Sequence, residues 1–467
     1  MARYLYFLYR IKKIRMMNRK IITSLLSCAL LYGASAQTSG IWSLNDCMEY
    51  AVANSPKVKK QAYANANSTQ DYRAAVASLF PSVGGQVQLA SNFGRSIDPE
   101  TNTYSNTSNL SNTYQVSGNL PLFNAGVLIN NIKVAKVSRL LGIRKQQQIE
   151  DELAMNTMQA YANVVYYSRT VALAQEKLAE SRRNLYKTER MEQLGLKGKA
   201  DVAQIAAQVA TDDSDLTRQQ NLYASALLIL KENMNYPPSG ELQVDTADWA
   251  APLLAPAEDV EAIYRAAVET NPVAQQAGYN LQASRLTHKI ARGRLFPSLS
   301  LNGGISTNYY DILSGGGKEK SYPSFGKQFN NNRGEWVGVT LSIPLFDGLS
   351  RRANLNKARN NVRIAREEQV EIFRQLQNEI EQAVQDRDGY AKEAVQMEKQ
   401  VEANRTAYEV TLKKYEKGLL SALELQTSAN NLTQAQANRV KAMLNYHIKS
   451  KLVAYYKGIP LIEETNK

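Results

Sequence analysis

Two carboxylates occupy matching places: Asp201 lies six residues after Gly195, and Glu424 lies six residues after Gly418. An acid so soon after a chain-turning glycine can cap the start of a returning helix. In Ser421-x-x-Glu424 the serine side chain and the acid each bond the other's backbone N–H. The acid also favours the helix dipole by about 0.3–1 kcal/mol. Several such acids gathered around one axis would hold that axis negative and favour cations. Neither role is catalysis. The chain has two histidines, His288 and His447, without an H-E-x-x-H or G-x-S-x-G motif or a phosphate-binding glycine loop. "TDDSD" at 211–215 lacks the glycine of a calcium loop and sits in a helical run, so it reads as a solvated helix face. The expectation is a chain that is not an enzyme and needs no cofactor or metal.

The elements that position these acids follow from the rest of the chain. Residues 1–36 read as a signal peptide, with a basic stretch, the apolar run "IITSLLSCALLYG" and an Ala34-Ser35-Ala36 cleavage site. Cleavage before Cys28 for lipidation meets a bulky Leu26, and the apolar run continues past the cysteine. Removing the segment's seven Lys/Arg from the 56 leaves 49 against 43 Asp+Glu, a mild +6 that calls for no nucleic acid. Cys47 then stands alone, so no intramolecular disulfide forms. After residue 36 no apolar run is long enough for a membrane-spanning helix.

The chain repeats itself. Pro56 and Pro272 are offset by 216 residues, as are Pro81 and Pro297 in "LFPS"; Pro121 and Pro344 in "PLF" are offset by 223, as are Gly195 and Gly418. The plan is a first repeat over 37–236, a proline-rich connector over 237–257 and a second repeat over 258–467. Before each "PLF" and after each "LFPS" apolar residues alternate with Ser, Thr, Asn, Gln and Gly, as in "WVGVTLSI". Period two means strand, and an apolar face backed by an uncharged polar one suits a membrane barrel with water inside. Strands are expected near 82–92, 112–121, 298–308 and 335–344, in hairpins over about 82–121 and 298–344. Between them, the Asn/Ser/Thr-rich stretches 91–112 and 307–334 read as long loops.

Everything else reads as helix. From Ala125 to Leu194, and from Gly348 to Gly418, no proline interrupts. Some 70 residues at ~1.5 Å each make a helix ~100 Å long, which must pack side by side in antiparallel hairpins. The tips fall near 195–200 and 418–421. Pro121 and Pro344 mark joints where strand gives way to helix, because proline lacks the ladder amide. Asn124 or Asp347 then caps the helix start. Pro81 and Pro297 mark the reverse joints. Four strands cannot close a barrel alone, so the chain must oligomerise: two copies give eight strands, three give twelve. The fold class expected is mainly α with a β membrane portion.

At this point the sequence resembles the TolC-like outer membrane efflux protein family over almost all of the chain after the signal. The tips carry the resemblance: Tyr415, Gly418, Leu419, Ser421, Glu424 and Leu425 in the second repeat, and Gly195, Leu196, Asp201 and Val202 in the first. The first repeat has Glu192 in place of the tyrosine, and Leu420 stands where some members carry a basic gating residue. The resemblance implies a homotrimer with a 12-stranded β-barrel in outer membrane lipid and an α-helical tunnel in the periplasm. It implies docking of the tips, Gly195, Leu196, Gly198, Tyr415, Gly418, Leu419 and Ser421, to a periplasmic adaptor (membrane fusion) protein that serves an inner-membrane transporter. Under trimer symmetry Asp201 and Glu424 would line the periplasmic aperture. The function expected is a passive exit duct. A structural or adhesive coiled-coil envelope protein is the alternative, and it has no need of the uncharged alternating strands.

Overall fold

Small polar residues and prolines set where the helices begin. Helix α1 (Leu44–Asn54) starts from a capping box in which Ser43 N donates to Asp46 Oδ2 at 3.0 Å and Asp46 N donates to Ser43 Oγ at 3.2 Å. Helices α2 (Pro56–Ala77) and α6 (Pro272–Gly293) open with proline at the first position, after Ser55 and Asn271 caps. The molecule is a computed structural model describing residues 40–97, 102–246, 258–314 and 322–463. Residues 1–36, expected above to be a signal peptide, and residues 247–257 of the expected connector lie outside the described residues.

The strands β1 (Ser82–Ile97), β2 (Tyr104–Phe123), β3 (Ser298–Ser314) and β4 (Gly334–Ser342) form one antiparallel sheet in the order β1-β2-β3-β4. Register puts Val83, Gly118, Gly303 and Val337 in one row, and Leu120, Leu301 and Val339 in another. One face therefore carries Val83, Val87, Leu89, Val116, Leu301, Ile305, Val339 and Leu341. The opposite face carries Gln86, Gln115, Ser117, Asn302 and Thr340. Much of the apolar face is bare: Val83 is 72% exposed, Val87 70% and Val337 81%.

The strands differ from the sequence expectation at three places. The 91–112 stretch is not a long loop: Ser91–Ile97 pairs with Tyr104–Leu110, and only 98–101 fall outside the described residues. A ladder needs backbone groups rather than apolar side chains, and polar contacts such as Asn92 Nδ2 donating to Asn109 Oδ1 at 3.1 Å bind the two strands. The 307–334 stretch holds the rest of β3 and a short helix, α7 (Phe325–Asn331), whose Gln328 side chain bonds both the N–H and the C=O of Tyr310. That amide stands in for a strand partner where β4 has ended. Pro121 does not end its strand either: β2 runs to Phe123, with a register irregularity between Pro121 and Phe123 that accommodates the missing amide.

Two helices, α3 (Val127–Gln193) and α8 (Ser350–Glu416), descend from the sheet, each 67 residues and ~100 Å long. Their entries pass through left-handed backbone at Ala125-Gly126 and Gly348-Leu349. Asn124 Oδ1 accepts from Leu128 N at 3.3 Å and Asp347 Oδ2 accepts from Arg351 N at 3.1 Å, tying down first-turn amides. The return is made in two pieces per hairpin. Helices α4 (Lys199–Met234) and α9 (Ala422–Tyr456) climb from the tips, and α2 and α6 complete the ascent to β1 and β3. Between the pieces, α1 and α5 (Val260–Thr270) pack on the wall. The core sits there. Cys47 and Ala51 of α1 pack with Tyr161, Val164, Leu230 and Met234, and Ile263 and Ala267 of α5 pack with Leu376, Ile380, Val384 and Tyr456.

Candidate functional site

Each tip is a helix stop, a left-handed glycine and a helix start. Gly195 has φ +71° and Gly418 φ +74°. At the first tip Leu196 N donates to Met191 O at 2.8 Å and Gly195 N to Glu192 O at 2.9 Å; at the second, Leu419 N donates to Lys414 O at 3.0 Å and Gly418 N to Tyr415 O at 2.9 Å. These nested bonds satisfy the last carbonyls of α3 and α8. Leu196 and Leu419 remain 66% and 69% exposed, so the turns present apolar side chains to the outside.

The acids sit in the first turns of α4 and α9. Ser421 N donates to Glu424 Oε2 at 2.9 Å and Glu424 N donates to Ser421 Oγ at 3.3 Å. The backbone N–H of Ser421 holds the Glu424 carboxyl below its ordinary range. Asp201 Oδ2 accepts from Gly198 N at 3.2 Å, so glycine supplies the cap position and only half the reciprocal pair forms. Among the described residues Asp201 and Glu424 bond their own caps rather than each other.

Between the hairpins Tyr415, named above among the tip residues, is buried against residues that the sequence did not single out. Tyr415, 2% exposed, shares a 2.7 Å hydrogen bond with Thr188 Oγ1, and Lys197 Nζ stands 4.6 Å above the Tyr415 ring while donating to Leu420 O at 3.3 Å. Lys187 pairs with Glu416 at 2.5 Å. Ile205, Tyr408, Tyr415, Ala422 and Leu425 form a small apolar cluster beneath these contacts. Higher up, Tyr408 donates to Glu180, and Gln426 donates to Gln208. Asp212 corrects the solvated reading of 211–215. Its side chain is 1% exposed, paired with Lys177 at 2.9 Å and accepting from Gln208 Nε2 at 2.7 Å, while Asp213 stays on the surface. A helix puts only one residue in four on a given line, so a run of five polar residues can still send one inward. The sequence did carry one usable signal: Tyr408 and Tyr415 are seven residues apart, which places both on the same helix face.

The strand–helix joints surround the other end of the wall. Pro81 and Pro297 directly precede β1 and β3, and Pro344 lies two residues after β4. Exposed Phe80, Phe123, Phe296, Leu345 and Phe346 gather at this level, an apolar girdle of the kind found where barrels meet lipid headgroups. No helix among the described residues is long and apolar enough to cross a membrane.

Known proteins resemble this architecture. Nodulation protein T of Rhizobium leguminosarum bv. trifolii is 23% identical over 290 residues, 61% of this chain; the chain spans 58% of that protein's length. The crystal structure of CusC superposes with a TM-score of 0.76 at 16% identity, over 91% of this chain and 96% of CusC. The outer membrane protein VceC of Vibrio cholerae superposes with a TM-score of 0.75 at 16% identity, over 90% of this chain and 97% of VceC. The family profile described as outer membrane efflux protein matches residues 48–235 and 263–454. That is most of the chain, with all four strands and nearly all of both helical hairpins inside the matched segments, and the chain belongs to the outer membrane efflux protein family.

Proposed function

We propose that three copies of the chain form a passive exit duct across the outer membrane, with a 12-stranded barrel in lipid and the helices forming a tunnel into the periplasm. One observation carries this reading: a four-stranded sheet with a bare apolar face and two unpaired edges, β1 and β4, grows directly into helices ~100 Å long. Lipid tolerates no open sheet edge, and joining β4 of one copy to β1 of the next removes both. Catalysis has no part in this reading. Cargo, small molecules or proteins, is delivered by an inner-membrane transporter through a periplasmic adaptor, whose hairpin tips meet Gly195–Gly198 and Gly418–Ser421.

The aperture is the acid-bearing end. Glu424 Oε2 is engaged by its cap, which leaves Oε1 free to face the axis. Three copies of Asp201 and Glu424 there favour cations, and cargo passes when the hairpins part. Planar-bilayer recordings of wild type and of Asp201→Asn/Glu424→Gln test this. The variant should lose cation selectivity and block by multivalent cations; unchanged selectivity with a lower melting temperature would leave the acids as caps alone. Cysteines at positions 196 and 419 should crosslink to the adaptor in cells, and crosslinks confined to the 91–112 segment would reverse the polarity.

A further inference from the structure

The helices nearest the sheet carry a charge pattern that a duct does not require. No acid occurs between Glu100 and Glu150, between Glu269 and Asp311, or between Asp347 and Glu367. Most basic residues in these stretches fall on one side of each helix, while Arg139 and Lys145 of α3 and Lys357 of α8 lie on other faces and Arg351 pairs with Asp347. On α8, Arg352, Arg359, Arg363 and Arg366 share a face, while half-buried Leu355 and Val362 and buried Ala358 and Ala365 form a seam that continues to Gln369, beside Gly278 of α6. On α6, Arg285, Lys289 and Arg292 share a face, opposite the uncharged Asn280, Ser284 and Thr287. On α3, Lys133 and Lys136 line up with Ile129, Leu140 and Ile143. The nine basic residues on these faces are exposed, and none of the nine forms an ion pair among the described residues.

Packing lower on the same helices identifies this side. Continued at helical spacing, the α3 stripe becomes Ala154, Met158, Tyr161 and Val165, which α1 covers. On α8, Phe373 and Val384 lie on the side of the arginine stripe while Leu376, Ile380 and Ala383 continue the seam, and the α6 stripe begins at Ala274, all in the cluster built on α5. Elements packed on a tube wall must lie outside it, or they would fill the bore. The basic residues therefore form a belt on the outer wall, between the strand joints and α1/α5.

We propose that this belt docks an anionic polymer of the periplasm, the carboxylate-bearing peptide mesh of the cell wall; the proposal rests on the duct reading for its compartment. Depth decides against the membrane as partner. At ~1.5 Å per residue, Arg352 lies ~5 Å below the joint at Leu349 and Arg366 ~25 Å below it. Headgroups extend only ~5–8 Å past the hydrocarbon, and screening at physiological salt takes over within ~8 Å. Arg359, ~15 Å below the joint, stands at the edge of that reach, and Arg363 and Arg366, at ~21 and ~25 Å, lie beyond reach of lipid phosphate. Guanidinium groups suit carboxylates because their paired N–H groups match the two oxygens.

The test is co-sedimentation of the purified full-length protein in detergent with isolated peptidoglycan sacculi. Wild type should pellet at 50 mM NaCl and be released at least tenfold by 300 mM. Arg359→Gln/Arg363→Gln/Arg366→Gln, which keeps good helix formers at exposed positions, should bind at least fivefold less. Sacculi whose carboxylates have been amidated should bind neither protein. Equal binding by the variant, undiminished binding to amidated sacculi, or preference for phosphatidylglycerol vesicles over sacculi would each overturn the proposal. Bilayer conductance of the same preparations separates the two readings. A non-conducting wild type refutes the duct, and a variant with altered conductance would put these arginines on the bore.

Discussion

A charge placed on the apolar face of β4 should be far more costly than the same charge one residue later. Nine residues at ~3.4 Å each make β4 ~30 Å long, and a tilt of ~40° reduces its height to ~23 Å, close to the ~25 Å apolar band of an outer-membrane barrel. Val339 sits three residues from the Ser342 end, ~8 Å up that height. It lies in register with Leu301 and is 62% exposed in the single chain. Val339→Arg should therefore destabilise the folded state by about 2–4 kcal/mol, the range for arginine facing lipid near mid-membrane. Thr340 is on the opposite face, where its hydroxyl accepts from Asn302 Nδ2 at 3.0 Å. Thr340→Arg should cost about 1 kcal/mol, the worth of that bond, because its guanidinium stays in water. Denaturant titration of folding into lipid vesicles measures both. A larger loss for Thr340→Arg than for Val339→Arg would refute the assignment of the faces.

Three further outcomes are expected. Burial pushes the Asp151 carboxyl up to about 6, against the lowering effect of its 2.8 Å bond from Tyr455; ionisation between about pH 4 and 6 therefore costs stability. Asp151→Asn should raise the melting temperature at pH 7.5 and change it little at pH 4, as scanning calorimetry would report. Tyr415→Phe removes the bond to Thr188 Oγ1, which still donates to Asn184 O at 2.7 Å, so a loss of about 1 kcal/mol is expected. It should appear as faster hydrogen exchange at the tips with the mid-helix core unchanged. Gly418→Ala meets no atom within 4 Å but must hold φ +74°, a strain of about 1–2 kcal/mol; Gly418→Asn should recover much of it in thermal melts.

What the sequence revealed depended on how local the cause was. Pro81 and Pro297 stand next to their strands, and Pro344 two residues past its strand, because proline acts on its own amide and its immediate neighbour. The long helices were legible because 67 residues without proline leave little else to form. Strand length was not legible. Beyond the apolar band water wets both faces, alternation disappears, and Ser91–Ile97 looks like loop although it pairs with Tyr104–Leu110. At the tips, the Ser421–Glu424 cap could be read because its partners are three residues apart. Asp212 could not, since Lys177, which accompanies it inside, comes from another helix 35 residues away.

The matched 67-residue lengths of α3 and α8 restrict how such a molecule can change over time. A single inserted residue turns everything below it by ~100° and lowers the tip by ~1.5 Å, which would rotate each buried seam onto the surface. Seven inserted residues turn the helix by only ~20°, and they lengthen it by ~10 Å. The ascending helix must gain the same increment for the hairpin to close, and the second hairpin must follow for the tips to stay level. Depth is therefore inherited in steps of about two helical turns taken by four helices together. Relatives that span compartments of different width should differ by such blocks rather than by a gradual drift in length.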